Sequence, residues 1–115
     1  MEYIPVDKEN LPEMFDIDLA DETFKLKFAY NETGDFFTVD LYRPTEEEED
    51  EEIILGEKLT LDKPLWSDFT DMSLPAPELI PMDLSGMETR ITWENFEKTV
   101  FLYINDWADD EDDNL

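Results

Sequence analysis

Carboxylates are the one reactive group this chain holds in quantity. Asp and Glu number 33 against 8 Lys and Arg, and the formal net charge is −25. Two tracts concentrate them. Glu46, Glu47, Glu48, Glu49, Asp50, Glu51 and Glu52 follow one another without a break, and Asp106, Asp109, Asp110, Glu111, Asp112 and Asp113 crowd the C-terminus. Three chemistries use such groups. Glycoside hydrolysis needs two carboxyls at a defined separation around a sugar cleft, and no spacing here singles out a pair. An EF-hand needs oxygen ligands at alternate positions with a Gly and a closing Glu at fixed places. Asp109–Asp113 is too short, and no Gly or Glu follows at the required spacing. The third chemistry is recognition: a dense carboxylate surface attracts basic partners, or imitates the phosphates of DNA.

The missing residues narrow the choice further. With no His, the commonest general base and the commonest transition-metal ligand are gone. With no Cys there is no disulfide and no thiolate. Ser67, Ser73 and Ser85 therefore have no His to activate them. We expect a protein that is not an enzyme and carries no cofactor and no metal. Outside the two tracts the acids still outnumber the basic residues, so direct nucleic-acid binding, which rests on Lys and Arg, is not expected. No apolar run approaches the ~18 residues of a membrane span. No basic region followed by an apolar core opens the chain, so neither a membrane segment nor a leader is expected.

The elements that must position these residues are strands. Thr23–Tyr30 alternates Phe24, Leu26, Phe28 and Tyr30 against Lys25, Lys27 and Ala29, the two-residue period of a half-buried strand. Phe36–Arg43 alternates Phe37, Val39 and Leu41 against Phe36, Thr38, Asp40 and Tyr42. Between them Asn31–Asp35 reads as a hairpin loop in which Gly34 supplies a positive φ. Phe15, Ile17 and Leu19 alternate with Asp16 and Asp18, and Ala20-Asp21-Glu22 turns that strand into the hairpin, giving a three-stranded meander. Tyr3–Val6 contains Pro5 and reads as an edge strand or extended lead-in, and Asp7–Pro12 as a polar loop.

Beyond Pro44 the acid run has no apolar face, and residues 45–52 are expected to form an exposed loop. Ile53–Leu61 returns to strand character, with Gly56 marking a bulge or bend. Residues 62–81 mix Pro64, Pro75, Pro77 and Pro81 with Leu65, Trp66, Phe69, Met72 and Leu74, an irregular loop packed over one end of the sheet. Leu79–Leu84 is a short strand interrupted by Pro81. Thr89–Thr92 and Thr99–Ile104 read as strands, and Trp93–Phe96 as a tight turn or one helical turn. The fold class is all-β: a small antiparallel sheet closing into a compact barrel or sandwich. One domain spans residues 1–107, followed by an acidic tail at 108–115.

With the strands placed, the chain resembles the small phage baseplate plug family known from a cyanophage with a contractile tail. The resemblance rests on Phe24-Lys25-Leu26-Lys27-Phe28-Ala29-Tyr30-Asn31 leading into Gly34-Asp35-Phe36-Phe37-Thr38-Val39-Asp40-Leu41. It continues in Gly56-Glu57-Lys58-Leu59 and Pro64-Leu65-Trp66. It ends in Thr92-Trp93-Glu94-Asn95-Phe96 and Val100-Phe101-Leu102-Tyr103-Ile104. It spans about residues 3–105; the acid run, the acidic tail and the longer Pro-rich loop depart from it. It implies a structural protein of the virion tail baseplate, made in the host cytoplasm and built into a hetero-oligomeric assembly. Its partners there would be the hub and adjacent tail proteins, with the protein plugging or stabilising the central hub.

Two other readings stand beside it: an acidic DNA-mimic inhibitor of a host nucleic-acid-binding protein, and a generic acidic β adaptor. For partner contacts the sequence offers Trp66, Phe69 and Trp107, aromatic residues outside the regular strands, together with the acid run Glu46–Glu52.

Overall fold

In a computed structural model, which describes residues 2–69, 74–75 and 77–105, the alternation in the sequence becomes a four-stranded antiparallel meander. Its strands are β2 (Glu13–Leu19), β3 (Glu22–Asn31), β4 (Phe36–Arg43) and β5 (Glu51–Lys58), each paired with the next. Phe24, Leu26 and Phe28 of β3 and Phe37, Val39 and Leu41 of β4 are fully buried on one face. Each such burial contributes about 1.5–3 kcal/mol. A second, three-stranded sheet orders β1 (Tyr3–Ile4), β7 (Phe101–Asn105) and β6 (Glu78–Met82). Ile4, Leu79 and Leu102 of that sheet join the same buried cluster as the large sheet. The two sheets form a sandwich and do not close into a barrel.

Local chemistry sets the turns. Leu19 pairs with Glu22 across a two-residue loop in which Ala20 and Asp21 have φ of 51° and 67°, the mark of a type I′ hairpin. In the β3–β4 loop the positive φ belongs to Asp35 (54°), not to Gly34. Gly34 is needed for room instead, because a Cβ there would lie 2.5 Å from the Phe36 ring. Gly56 (φ 74°) makes the expected bulge. Val39 faces Glu57 and Leu41 faces Ile54, so Asp40 stands opposite two residues, and its Oδ1 accepts the Gly56 N–H at 2.6 Å.

Three expectations change. Glu51 and Glu52, read as loop, open β5 and pair with Arg43 and Tyr42; β-ladder pairing overrides their weak strand propensity. Thr89–Thr92 is not a strand. The Asn95 side chain takes the Thr92 N–H on Oδ1 and donates Nδ2–H to the Arg90 carbonyl, both at 2.8 Å, so this backbone folds around Asn95 rather than onto a ladder. The lead from Asp7 to Pro12 contains one 3₁₀ turn, Lys8–Asn10, capped by Asp7 Oδ1 accepting the Glu9 N–H at 3.0 Å. Pro81 is tolerated because β6 lies at the sheet edge. The loop before it covers that edge: Asp62 N–H donates to the Pro81 carbonyl at 2.7 Å, and Leu65 N–H to the Leu79 carbonyl at 2.8 Å.

Candidate interaction surfaces

Side chains directly opposite on paired strands share a face, so the register writes out both outer surfaces. On the large sheet one row runs Asp16, Lys25, Tyr42, Glu52, and the next runs Met14, Lys27, Asp40. Lys25 Nζ sits 2.7 Å from Asp50 Oδ2 and 4.0 Å from Asp16 Oδ1. The hydrogen bond to Asp50 raises its pKa above the ordinary lysine value. Arg43 reaches Glu22 through Nε at 2.9 Å and Glu51 through Nη1 at 3.2 Å. The acid run is thereby divided. Asp50 and Glu51 are paired, whereas Glu46–Glu49 form a fully exposed bend. Thr45 Oγ1 orders that bend, donating to the Glu49 carbonyl at 2.7 Å and accepting the Glu47 N–H at 3.2 Å.

The outer face of the small sheet has a different chemistry. Tyr3 lies opposite Tyr103, Tyr103 opposite Ile80, and Phe101 opposite Met82. The rings form a cluster, with centroids 4.6 Å apart for Tyr3–Phe101, 6.2 Å for Tyr3–Tyr103 and 6.1 Å for Phe101–Tyr103. None of these side chains belongs to the central core cluster. Tyr3 is 46% exposed and Phe101 is half-buried, whereas Tyr103 beneath them is only 7% exposed. Burial raises the Tyr103 phenol pKa, helped by the negative charge of Asp83. The turn after β6 presents Leu84 and Met87, 67% and 80% exposed. Asp83 braces it by accepting N–H bonds from Ser85, Met87 and Glu88, and the Ser85 hydroxyl is the main reason its carboxyl pKa is lowered. A continuous apolar face rimmed by polar turns is the usual mark of a protein-contact surface.

Over residues 1–108 the chain matches the family described as cyanophage baseplate Pam3 plug gp18. The chain belongs to that baseplate plug family. No curated protein matches it. The resemblance drawn from residues 3–105 is thus a family membership, and it places the protein among phage tail baseplate structural components, in association with other baseplate proteins.

For a plug-family protein the contact residues matter most, and the aromatics expected from sequence divide. Trp66 is 5% exposed and belongs to the core, which removes it from the accessible surface. Its backbone N–H donates to Glu57 Oε2 at 2.8 Å. Phe69 is 48% exposed. Trp107 lies outside the described residues, as does the acidic tail. Sequence reasoning did not single out the accessible rings of Tyr3 and Phe101, which pack over the buried Tyr103. One signal was available: Val100–Ile104 is apolar without alternation, and an unbroken run marks a strand covered on both sides.

Sequence reasoning also passed over a cluster at the far end of the β3–β4 hairpin. Asp35 Oδ1 accepts the Tyr30 hydroxyl at 2.7 Å and the Trp93 N–H at 2.9 Å, and Arg90 Nη2 donates to the Asp35 carbonyl at 2.9 Å. The Tyr30 bond, then the Trp93 N–H, hold the Asp35 carboxyl below its ordinary range. The same bond to a carboxylate pushes the Tyr30 phenol up to about 12. Among the described residues no three carboxylates converge to hold a metal ion, and no helix is long and apolar enough to cross a membrane.

Proposed function

We propose that the protein sits at the central hub of the baseplate and plugs or stabilises its channel until the tail contracts, acting by packing and without catalysis. The observation that supports this best is the aromatic outer face of β1, β7 and β6 in a chain of the plug family. Tyr and Phe side chains on a β surface give large, rigid contact area at low entropic cost, and Met adds an adaptable apolar surface. We assign that face to the hub and adjacent tail proteins. In this reading the exposed Glu46–Glu49 bend lines the channel, where its charge repels the phosphates of passing DNA. The protein is made in the host cytoplasm and joins the assembly there.

Quantitative mass spectrometry of purified particles tests the reading. A few copies per virion, in fixed ratio to the hub proteins, is the expected result. Abundance in infected cells with absence from particles would overturn it.

A further inference from the structure

A second site shares no residue with the aromatic sheet face and does not depend on the hub assignment. At the hairpin end an open cavity of about 500 Å³ is lined by Tyr30, Glu32, Asp35, Trp93 and Glu94. Its aromatic wall is fixed from behind. Trp93 lies nearly parallel to buried Phe37 (12°, centroids 6.0 Å apart) and 4.8 Å from the Tyr30 ring. The turn carrying it is clamped by reciprocal bonds, Thr92 N–H to Asn95 Oδ1 at 2.8 Å and Asn95 N–H to Thr92 Oγ1 at 3.2 Å. The carboxylates have unequal duties. Asp35 is committed to Tyr30, Trp93 and Arg90. Glu32 and Glu94 make no hydrogen bond or ion pair among the described residues. The Trp93 ring is already a cation acceptor: Lys8 Nζ stands 5.3 Å from its centroid while donating to the Trp93 carbonyl at 2.6 Å. Lys8 lines the adjoining cavity of about 300 Å³ and not this one.

We propose that the Tyr30–Trp93 cavity receives an arginine side chain from a basic loop of a neighbouring protein. A planar guanidinium can lie against an indole or phenol ring while its N–H groups donate to flanking carboxylates. The site supplies both kinds of wall, and its two uncommitted carboxylates complement the cation. Because the turn is prebuilt, little ordering opposes binding.

The test uses the full-length chain, ¹⁵N-labelled, titrated with N-acetyl-arginine amide and, in parallel, with the uncharged isostere N-acetyl-citrulline amide. The Trp93 indole N–H and the backbone amides of Tyr30, Glu32 and Glu94 should shift with the arginine probe alone, and the shifts should fade as salt is added. The core indole of Trp66 serves as the internal reference. Glu32→Gln with Glu94→Gln should weaken binding roughly fivefold, the effect of losing two exposed ion pairs. Trp93→Leu should also weaken it, and retained dispersion of the backbone amide spectrum away from the site would show that the fold survives. Equal shifts with the citrulline probe, shifts confined to Glu46–Glu52, or unchanged affinity in the double Gln variant would each overturn the proposal.

Discussion

Across the outer face of the four-stranded sheet, acids and lysines alternate in rows: Asp16, Lys25, Tyr42 and Glu52, then Met14, Lys27 and Asp40. Across the outer face of the three-stranded sheet stand Tyr3, Ile80, Met82 and Phe101 around the buried ring of Tyr103, and charge enters only at the end of the row, where Glu78 lies opposite Asn105. Both sheets give their inner faces to one core, so the core does not account for the difference. A charged β face is complete in water, since solvent and cross-strand ion pairs satisfy it. An aromatic β face gains free energy when something covers it. On the function proposed above, the comparison separates a self-repelling charged surface from one available for contact within the baseplate.

The shared core can be broken first. Phe37 is fully buried, 4.5 Å from Phe96 and 4.9 Å from Tyr30. Phe37→Ala should cost about 3–5 kcal/mol, a large part of the ~5–15 kcal/mol of a small domain. Chemical denaturation followed by intrinsic fluorescence should show one transition at a much lower midpoint. Two transitions would mean that the sheets are separate units and would dissolve the comparison.

The aromatic face comes next. Tyr3→Ser combined with Phe101→Ser should lower the copies per purified particle by roughly an order of magnitude, the scale of losing a contact hot spot, while the soluble protein stays folded by circular dichroism. The matching change on the charged face, Lys27→Ser, should leave incorporation unaltered. Equal losses from both would erase the distinction between the faces.

A smaller effect concerns the β2–β3 turn. Ala20 and Asp21 hold positive φ, which costs non-glycine residues up to ~1–2 kcal/mol each. Ala20→Asn with Asp21→Gly, the favoured type I′ pair, should raise stability by about 1 kcal/mol, read as an upward shift in the thermal midpoint.

The smallest effects are electrostatic. Burial raises the Glu97 carboxyl pKa; its Oε1 accepts the Val6 N–H at 2.7 Å, and its buried Oε2 has no hydrogen-bond partner among the described residues. A folded value above the unfolded one contributes stability below the unfolded pKa, about 4, and that stability is lost as pH rises through the folded value. Glu97→Gln should therefore gain on the parent as pH rises toward neutrality. Asp35 runs the other way. Its folded value is depressed, so its contribution is present above the unfolded pKa and is lost as pH falls through the folded one. Asp35→Asn should be less stable than the parent at neutral pH, with the gap closing in acid. Thermal midpoints of parent and variants across pH 3–7 would show both, on a scale of roughly pH units.

Alternation along one strand is a local property, so β2, β3 and β4 could be read from residues 13–43, together with the bulge at Gly56 and the exposed bend at Glu46–Glu49. The family too was legible, because its motifs follow those strands in order. Other features required contacts between distant parts of the chain. The second sheet joins Tyr3 to Tyr103 and Leu79 to Ile104, and nothing in a short window says which apolar runs will pair. Thr89–Thr92 has strand composition, yet one side chain, Asn95, takes its hydrogen bonds and curls it into a turn. Trp66 sits in a proline-rich loop that the sequence marks as packed over one end of the sheet, but only the structure shows that the loop folds back along the β6 edge and carries this ring into the core while Phe69 stays exposed. The sequence by itself determined that the protein is an acidic, all-β member of its family. Which aromatic residues face outward was decided only by the tertiary structure, because exposure depends on what the rest of the chain lays against each face.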